Sequence, residues 1–233
     1  MNKITSLLDQ VISFFYPKLC PACGRALQQH EEIICMYCMV HLPETDYYLQ
    51  EDNPLCFLFH GRVPITQVCS LLFYKKGNLV QHLLHHLKYK GDKEIGEVLG
   101  FYFGQKLATS SLYADADMIL PIPLHPKKLR ARGYNQSECI AQGLGRGMSK
   151  PCRNDILVRD IFTQTQTKKN RFRRWENVKD VFKISDYKDI NHKKVILCDD
   201  VLTTGATIEA AARQLLKGED VKVKVVTLAS AAQ

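Results

Sequence analysis

The run Val195-Ile196-Leu197-Cys198-Asp199-Asp200-Val201-Leu202-Thr203-Thr204-Gly205-Ala206-Thr207 constrains this chain more than any other stretch. Val195 to Cys198 carries no polar residue on either face, the pattern of a strand buried on both sides in a parallel sheet. Such a strand needs helices over both faces of its sheet, so it commits the chain to an α/β fold. Asp199 and Asp200 then fall at the strand's carboxyl end, where open α/β sheets gather their ligands. Thr203 to Thr207 offers hydroxyls, small side chains and one glycine, which lets backbone N–H groups turn into a concavity before a helix that starts near Ile208. Ile208, Ala211, Ala212, Leu215 and Leu216 recur at helical spacing, and Val221 to Leu228 reads as the next strand.

An anion seated at that helix N-terminus meets unpaired amide donors and the positive end of the helix dipole. Carboxylates one loop away accept hydrogen bonds from hydroxyls, so the combination points to a sugar phosphate, and a ribose 5-phosphate would bridge the acidic pair and the turn. A turn that only ends a strand and caps a helix also uses Asp, Thr and Gly. The whole string, in its strand-to-helix setting, resembles the phosphoribosyl pyrophosphate binding motif of type I phosphoribosyltransferases. Gly143-Leu144-Gly145-Arg146-Gly147 does not compete as a phosphate loop, because it lacks the Gly-Lys-Ser/Thr ending and follows no evident strand.

Nearer the N-terminus, Cys20-Pro21-Ala22-Cys23 and Cys35-Met36-Tyr37-Cys38 form two thiol pairs joined by a hairpin-length segment containing Gly24. Each pair turns tightly enough for both sulfurs to face one ion, which predicts a four-cysteine zinc site of Cys20, Cys23, Cys35 and Cys38. Four thiolates leave no open coordination position, so the zinc is expected to be structural; four unligated thiols are the alternative. His30 and His41 rank behind the cysteines as replacement ligands. The other five cysteines are scattered among apolar segments, which fits a reducing compartment and a cytoplasmic protein. No apolar stretch is long enough to span a bilayer, and Asp9 and Gln10 interrupt the N-terminal one where a signal peptide would be continuous. Ile4, Leu7, Leu8, Val11, Ile12 and Phe15 instead describe an amphipathic helix before Pro17, better suited to packing on protein than on membrane.

The expected organisation is residues 1–46 as amphipathic helix plus zinc-binding segment, 47–64 as a linker that also packs, and 65–233 as the main domain. Ile65 to Tyr74 reads as strand and Leu79 to Leu87 as helix. Lys88-Tyr89-Lys90-Gly91-Asp92 interrupts that helix as either a phosphate contact or an ordinary basic helix end. His82 and His86, one turn apart, are a weak metal pair. Met118 to Pro123 reads as a buried strand opening into a basic loop, Leu124 to Gln136, which holds Lys127, Lys128, Arg130 and Arg132 and offers the amides of Asn135 and Gln136 to a polar ligand. Helix resumes with Ser137 as its cap. Residues 159–179 carry Lys168, Lys169, Arg171, Arg173 and Arg174 among few apolar residues. That stretch reads as a lid over the reacting sugar, as a single-stranded DNA contact using Phe172 and Trp175, or as plain solvated charge.

The two Cys-x-x-Cys pairs, Lys88–Asp92, Pro121–Glu138, the stretch bearing Gln166, Arg171, Asn177 and Phe182, and Asp199–Thr207 together resemble the ComF family of competence-associated, phosphoribosyltransferase-like proteins across nearly the whole chain. The resemblance implies a type I phosphoribosyltransferase-like parallel sheet flanked by helices, with a small zinc-binding segment at the N-terminus. It further implies a role in DNA uptake, with single-stranded DNA and a DNA-uptake helicase as partners. On that basis Thr203, Thr204, Gly205, Ala206 and Thr207 are expected to hold the 5-phosphate of phosphoribosyl pyrophosphate. Asp199 and Asp200 are expected to hold the ribose hydroxyls and act in catalysis. Lys127, Lys128 and the backbone near His125 are expected to hold pyrophosphate and magnesium. The alternative is a non-catalytic single-stranded DNA-binding protein on the same fold; the net charge of +8 suits either polyanion.

Overall fold

The acidic pair sits inside a strand longer than its apolar run. The computed structural model describes residues 17–159 and 181–231. In chain order its elements are α1 (Met36–Val40), β1 (Gln67–Phe73), α2 (Leu79–Tyr89), α3 (Lys93–Thr109), β2 (Met118–Pro121), α4 (Pro126–Arg132), α5 (Gln136–Met148), β3 (Leu157–Arg159), β4 (Phe182–Ile184), β5 (Lys194–Leu202), α6 (Ala206–Leu215) and β6 (Lys222–Ser230). The helix expected over residues 1–19 falls almost wholly on residues 1–16, outside the described residues, as do Lys168, Lys169, Arg171, Arg173 and Arg174.

Four strands form one sheet in the order β1-β6-β5-β2, every neighbouring pair parallel; β3 and β4 form a separate antiparallel ribbon. Val195–Cys198 is fully buried, as its unrelieved apolar pattern requires, and the strand runs on through both aspartates to Leu202. β5, α6 and β6 make the strand–turn–helix–strand unit read from the sequence.

Both sheet edges are covered. The outer edge of β1 is taken by residues 43–45, where Phe73 N–H donates to Pro43 O at 2.8 Å and Thr45 N–H to Leu71 O at 3.0 Å. Beside β2, Ile119 N–H donates to Pro151 O and Arg153 N–H to Ile119 O, both at 2.9 Å. Uncovered, these edges would offer unpaired amides and carbonyls to other chains. The segment 47–64 packs inward: Leu55 and Phe59 are buried, and the buried Asn53 donates through Nδ2 to Val68 O at 2.8 Å.

The helix pair α3 and α5 explains the glycine string at 143–147. A Cβ on Gly104 would stand 2.6 Å from Leu144 O and 3.0 Å from Gly147 Cα, and one on Gly143 or Gly147 would strike the backbone of Glu97 or Phe101. Glycine is needed there so that two helix backbones can touch, with α5 also packed on β5 and β2. That contact fixes the first turn of α5 against the carboxyl end of β5.

Candidate functional site

Asn135 begins the site. Its side chain donates to Ile122 O at 3.0 Å and accepts from Ser137 N–H at 3.1 Å, so it, and not Ser137, caps α5. The hydroxyl of Ser137, expected to cap the helix, is thereby freed and donates to Asp199 Oδ1 at 2.7 Å. The same oxygen accepts from the N–H of Asp200 at 2.9 Å. Asp200 Oδ2 accepts from Gln136 Nε2 at 3.0 Å and lies 2.9 Å from Lys88 Nζ. Lys88 comes from the last turn of α2, which continues to Tyr89 instead of stopping at Leu87.

Burial, reinforced by the charge of Asp200, pushes the Asp199 carboxyl up to about 7; Ser137, the Asp200 N–H and Lys88 pull the other way. At neutral pH Asp199 is therefore about half protonated, with Lys88 as the counter-ion of Asp200.

Past Leu202 the chain turns through Thr203, Thr204 and Gly205 into α6. Gly205 stands at the N-cap with φ 74° and no side chain caps the helix, so the first-turn amides face the turn with no side-chain partner. Residues 199 and 201–208 enclose a hollow of about 40 Å³ there. Its outer wall is clamped from the N-terminal half. Arg62 donates through Nη1 to Thr204 O at 3.2 Å and Leu58 O at 2.9 Å, and its Nη2 pairs with Glu209, which also holds Arg213 at 2.8 Å. Arg62, and Phe59, whose ring stands where a Cβ on Gly205 would fall, were not legible as site residues, because their partners lie far along the chain.

Asp199, Asp200, Thr203 and Thr207 also border a wider cleft of about 550 Å³. Its cations are Lys88, Lys128, Arg132 and Arg159, and Tyr74, His85 and Tyr89 supply rings. The Arg132 guanidinium lies 5.2 Å from the centre of the Tyr89 ring, with Nη1 buried and unpartnered. Arg159 lies 5.2 Å from the Phe182 ring centre; burial lowers its pKa and the charge of Asp199 opposes that.

The basic loop is largely helix. Pro126 opens α4, and His125 Nδ1 accepts from Lys127 N–H at 3.2 Å as its cap. Of the residues expected to hold pyrophosphate, Lys128 lines the cleft, whereas His125 and Lys127 are not part of its wall. Arg132 is, from the last turn of the same helix.

The cysteines converge. One sulfur from each of Cys20, Cys23, Cys35 and Cys38 lies within 4.8 Å of the others, and Cys23 and Cys35 approach to 3.6 Å. A tetrahedral ion with metal–sulfur bonds of about 2.3 Å needs sulfurs about 3.8 Å apart, so the donor set fits a metal. Gly24, with φ 73°, turns the chain after the first pair and donates to Cys20 O at 2.8 Å, while Cys35 stands at the N-cap of α1 and Cys38 within it. Among the described residues this is the one group of three or more such ligands that converges. His30 and His41 are not in it; His41 Nδ1 is 2.8 Å from Tyr37 O. His86 pairs with Asp92 at 2.7 Å.

Residues 159–233 match the family model described as the phosphoribosyl transferase domain. Competence protein ComFC of Bacillus subtilis is 30% identical over 215 residues, covering 90% of this chain and 77% of that protein. Competence protein F of Haemophilus influenzae is 27% identical over 209 residues, covering 89% of this chain and 81% of that protein. The DNA utilization protein YhgH of Escherichia coli K12 is 26% identical over 214 residues, covering 89% and 88%.

Proposed function

The chain belongs to the ComF family of competence-associated, phosphoribosyltransferase-like proteins, and from that premise we propose that it binds a ribose 5-phosphate ester, phosphoribosyl pyrophosphate in its reactive form, at the carboxyl end of β5. One observation carries the reading: two carboxylates stand between a turn of side-chain-uncapped amides and a cleft bearing Lys88, Lys128, Arg132 and Arg159. A sugar with an anion at each end matches that sequence of charges. The 5-phosphate takes the Thr203–Thr207 amides, the ribose hydroxyls donate to Asp199 and Asp200, and Lys128 and Arg132 face the pyrophosphate.

In the transfer reaction the bond from the sugar to pyrophosphate breaks as a nucleophile arrives, and positive charge grows on the ring. Asp199 and Asp200 offset that charge, while Lys128 and Arg132 neutralise the departing oxygens. The carboxylates are an oxygen donor set suited to magnesium, which when bound with pyrophosphate supplies further neutralisation. At the cysteine cluster zinc is the metal we assign, in a closed structural role.

Isothermal titration with ribose 5-phosphate and with phosphoribosyl pyrophosphate plus magnesium tests the site. Binding is expected, and unchanged binding in the Asp199→Asn/Asp200→Asn variant counts against the reading. The cationic cleft also supports a second reading, a single-stranded DNA contact that would place the protein beside a DNA-uptake helicase. Its mark is affinity for an oligonucleotide that falls steeply with salt, with a shallower slope when Lys168, Lys169, Arg173 and Arg174 are neutralised. The acidic pair favours the sugar, since two carboxylates repel a nucleic-acid backbone. The nine cysteines, all free thiols, fit a reducing cytoplasmic setting. Among the described residues no helix is long and apolar enough to cross a membrane.

A further inference from the structure

Gln136 is 5% exposed, borders the cleft beside Asp199, Asp200 and Ser137, and has its Oε1 buried with no partner. The orientation of its amide is fixed by chemistry. Asp200 Oδ2 already faces the Lys88 ammonium, so it is an ionised acceptor, and the amide can meet it only through Nε2, at 3.0 Å. Oε1 must then point away from Asp200. An orphaned buried acceptor is costly, and the donors that serve the acidic pair beside it are already engaged. Ser137 Oγ and the Asp200 N–H are both spent on Asp199 Oδ1, and Lys88 and Gln136 Nε2 on Asp200 Oδ2.

The count that remains is one-sided. Gln136 Oε1, Asp199 Oδ2 and Asp200 Oδ1 are without hydrogen-bond partners among the described residues. All three are acceptors on residues that line the cleft, so an occupant that brings O–H groups would satisfy them. A vicinal diol brings two, in the place where the proposed ribose lies.

We propose that Gln136 is a specificity-determining residue, a third acceptor that reads the sugar's diol with the acidic pair and makes the site select ribose phosphates over 2-deoxyribose phosphates. The inference rests on the ribose-phosphate reading above and goes beyond it, because it excludes the sugar phosphate released from degraded DNA. A site built to accept from a hydroxyl rejects the analogue lacking it, since its buried acceptor stays unpaired.

The test is titration calorimetry at pH 8, where Asp199 is ionised, with ribose 5-phosphate, 2-deoxyribose 5-phosphate and inorganic phosphate. The wild-type protein is expected to prefer ribose 5-phosphate by about 10-fold or more. In Gln136→Met the preference should shrink several-fold, and Gln136→Asn, which withdraws the acceptor by one methylene, should shrink it as well. A merely structural role would weaken both sugars equally and leave the ratio alone, which overturns the assignment. Equal affinity of the wild type for the two sugars also overturns it, whether or not either variant folds. If both sugars bind alike but more tightly than phosphate, this inference alone is lost; if the sugars bind no better than phosphate, or none of the three binds, the ribose-phosphate reading falls with it.

Discussion

The Phe59 ring sits where a side chain on Gly205 would begin: a Cβ there would lie 2.8 Å from two of its carbons. The turn that faces the proposed phosphate is therefore shaped from inside by its own glycine, at φ 74°, and from outside by a residue of the 47–64 segment. Gly205→Ala is expected to cost about 1–3 kcal/mol of stability through left-handed strain and displacement of the ring. It should also abolish binding of inorganic phosphate by rotating the first-turn amides. Urea midpoints and phosphate titration measure the two effects, and normal phosphate affinity in a folded Gly205→Ala protein would refute the placement of the anion.

What the sequence made legible follows from distance along the chain. β5, the turn and α6 are contiguous, so periodicity and turn chemistry expose them together, and the cysteine pairs are legible for the same reason. Arg62 meets Thr204 across 142 positions, and no local pattern marks it. The sequence points to Ser137 as the cap of α5, but the buried carbonyl of Ile122 fixes the side chain of Asn135 and makes that residue the cap, a choice only tertiary structure makes. The basic loop conceals a helix because its charge masks the His125-Pro126 start, a good cap followed by a proline at the first helical position. The glycine string at 143–147 lies within α5, and its purpose depends on Gly100 and Gly104 of α3, a helix away.

Lys88 neutralises Asp200 from a position where the two side chains are 23% and 10% exposed. Breaking a pair of this burial leaves a carboxylate without its counter-ion, the costly half of such an interaction. Lys88→Met is expected to lose about 1–3 kcal/mol, less than for a fully buried pair because solvent still reaches the ammonium. Much of the loss should return in Lys88→Met/Asp200→Asn, where no charge is stranded. A double-mutant cycle on denaturant midpoints checks this; additive losses would show that the ion pair does not act as a unit.

The raised pKa of Asp199 fixes the sign of a pH effect. Between the ordinary carboxylate range and about 7, the folded protein keeps a proton on Asp199 that the unfolded chain has released. Stability therefore falls as the pH climbs through that window and levels off above it. Asp199→Asn removes this component, so the gap between wild type and variant should move in the variant's favour from pH 5 to pH 8. Asp200, Lys88, Ser137 and Arg159 are the groups that set the value, and Lys88→Met should raise it further. Denaturant midpoints across the pH range measure the difference; a gap independent of pH would mean that Asp199 titrates normally.

The cysteine cluster and the sheet edge hold opposite ends of one stretch of chain. Cys20, Cys23, Cys35 and Cys38 gather residues 20–38, and seven residues later Thr45 is bonded to the edge of β1. Removing the metal should loosen the first part and leave the second, since Phe73 and Leu71 still bind Pro43 and Thr45. Cys38→Ser is expected to lose the bound metal, lower the thermal midpoint and open residues 24–34 to proteolysis. Affinity for ribose 5-phosphate should be retained, because no residue of 17–42 lines the cleft. Elemental analysis, limited proteolysis and titration on the same preparation give the three readouts. Loss of ribose 5-phosphate affinity in a folded, metal-free protein would show that the cluster supports the site through the 43–64 segment, and would make the metal part of the binding machinery.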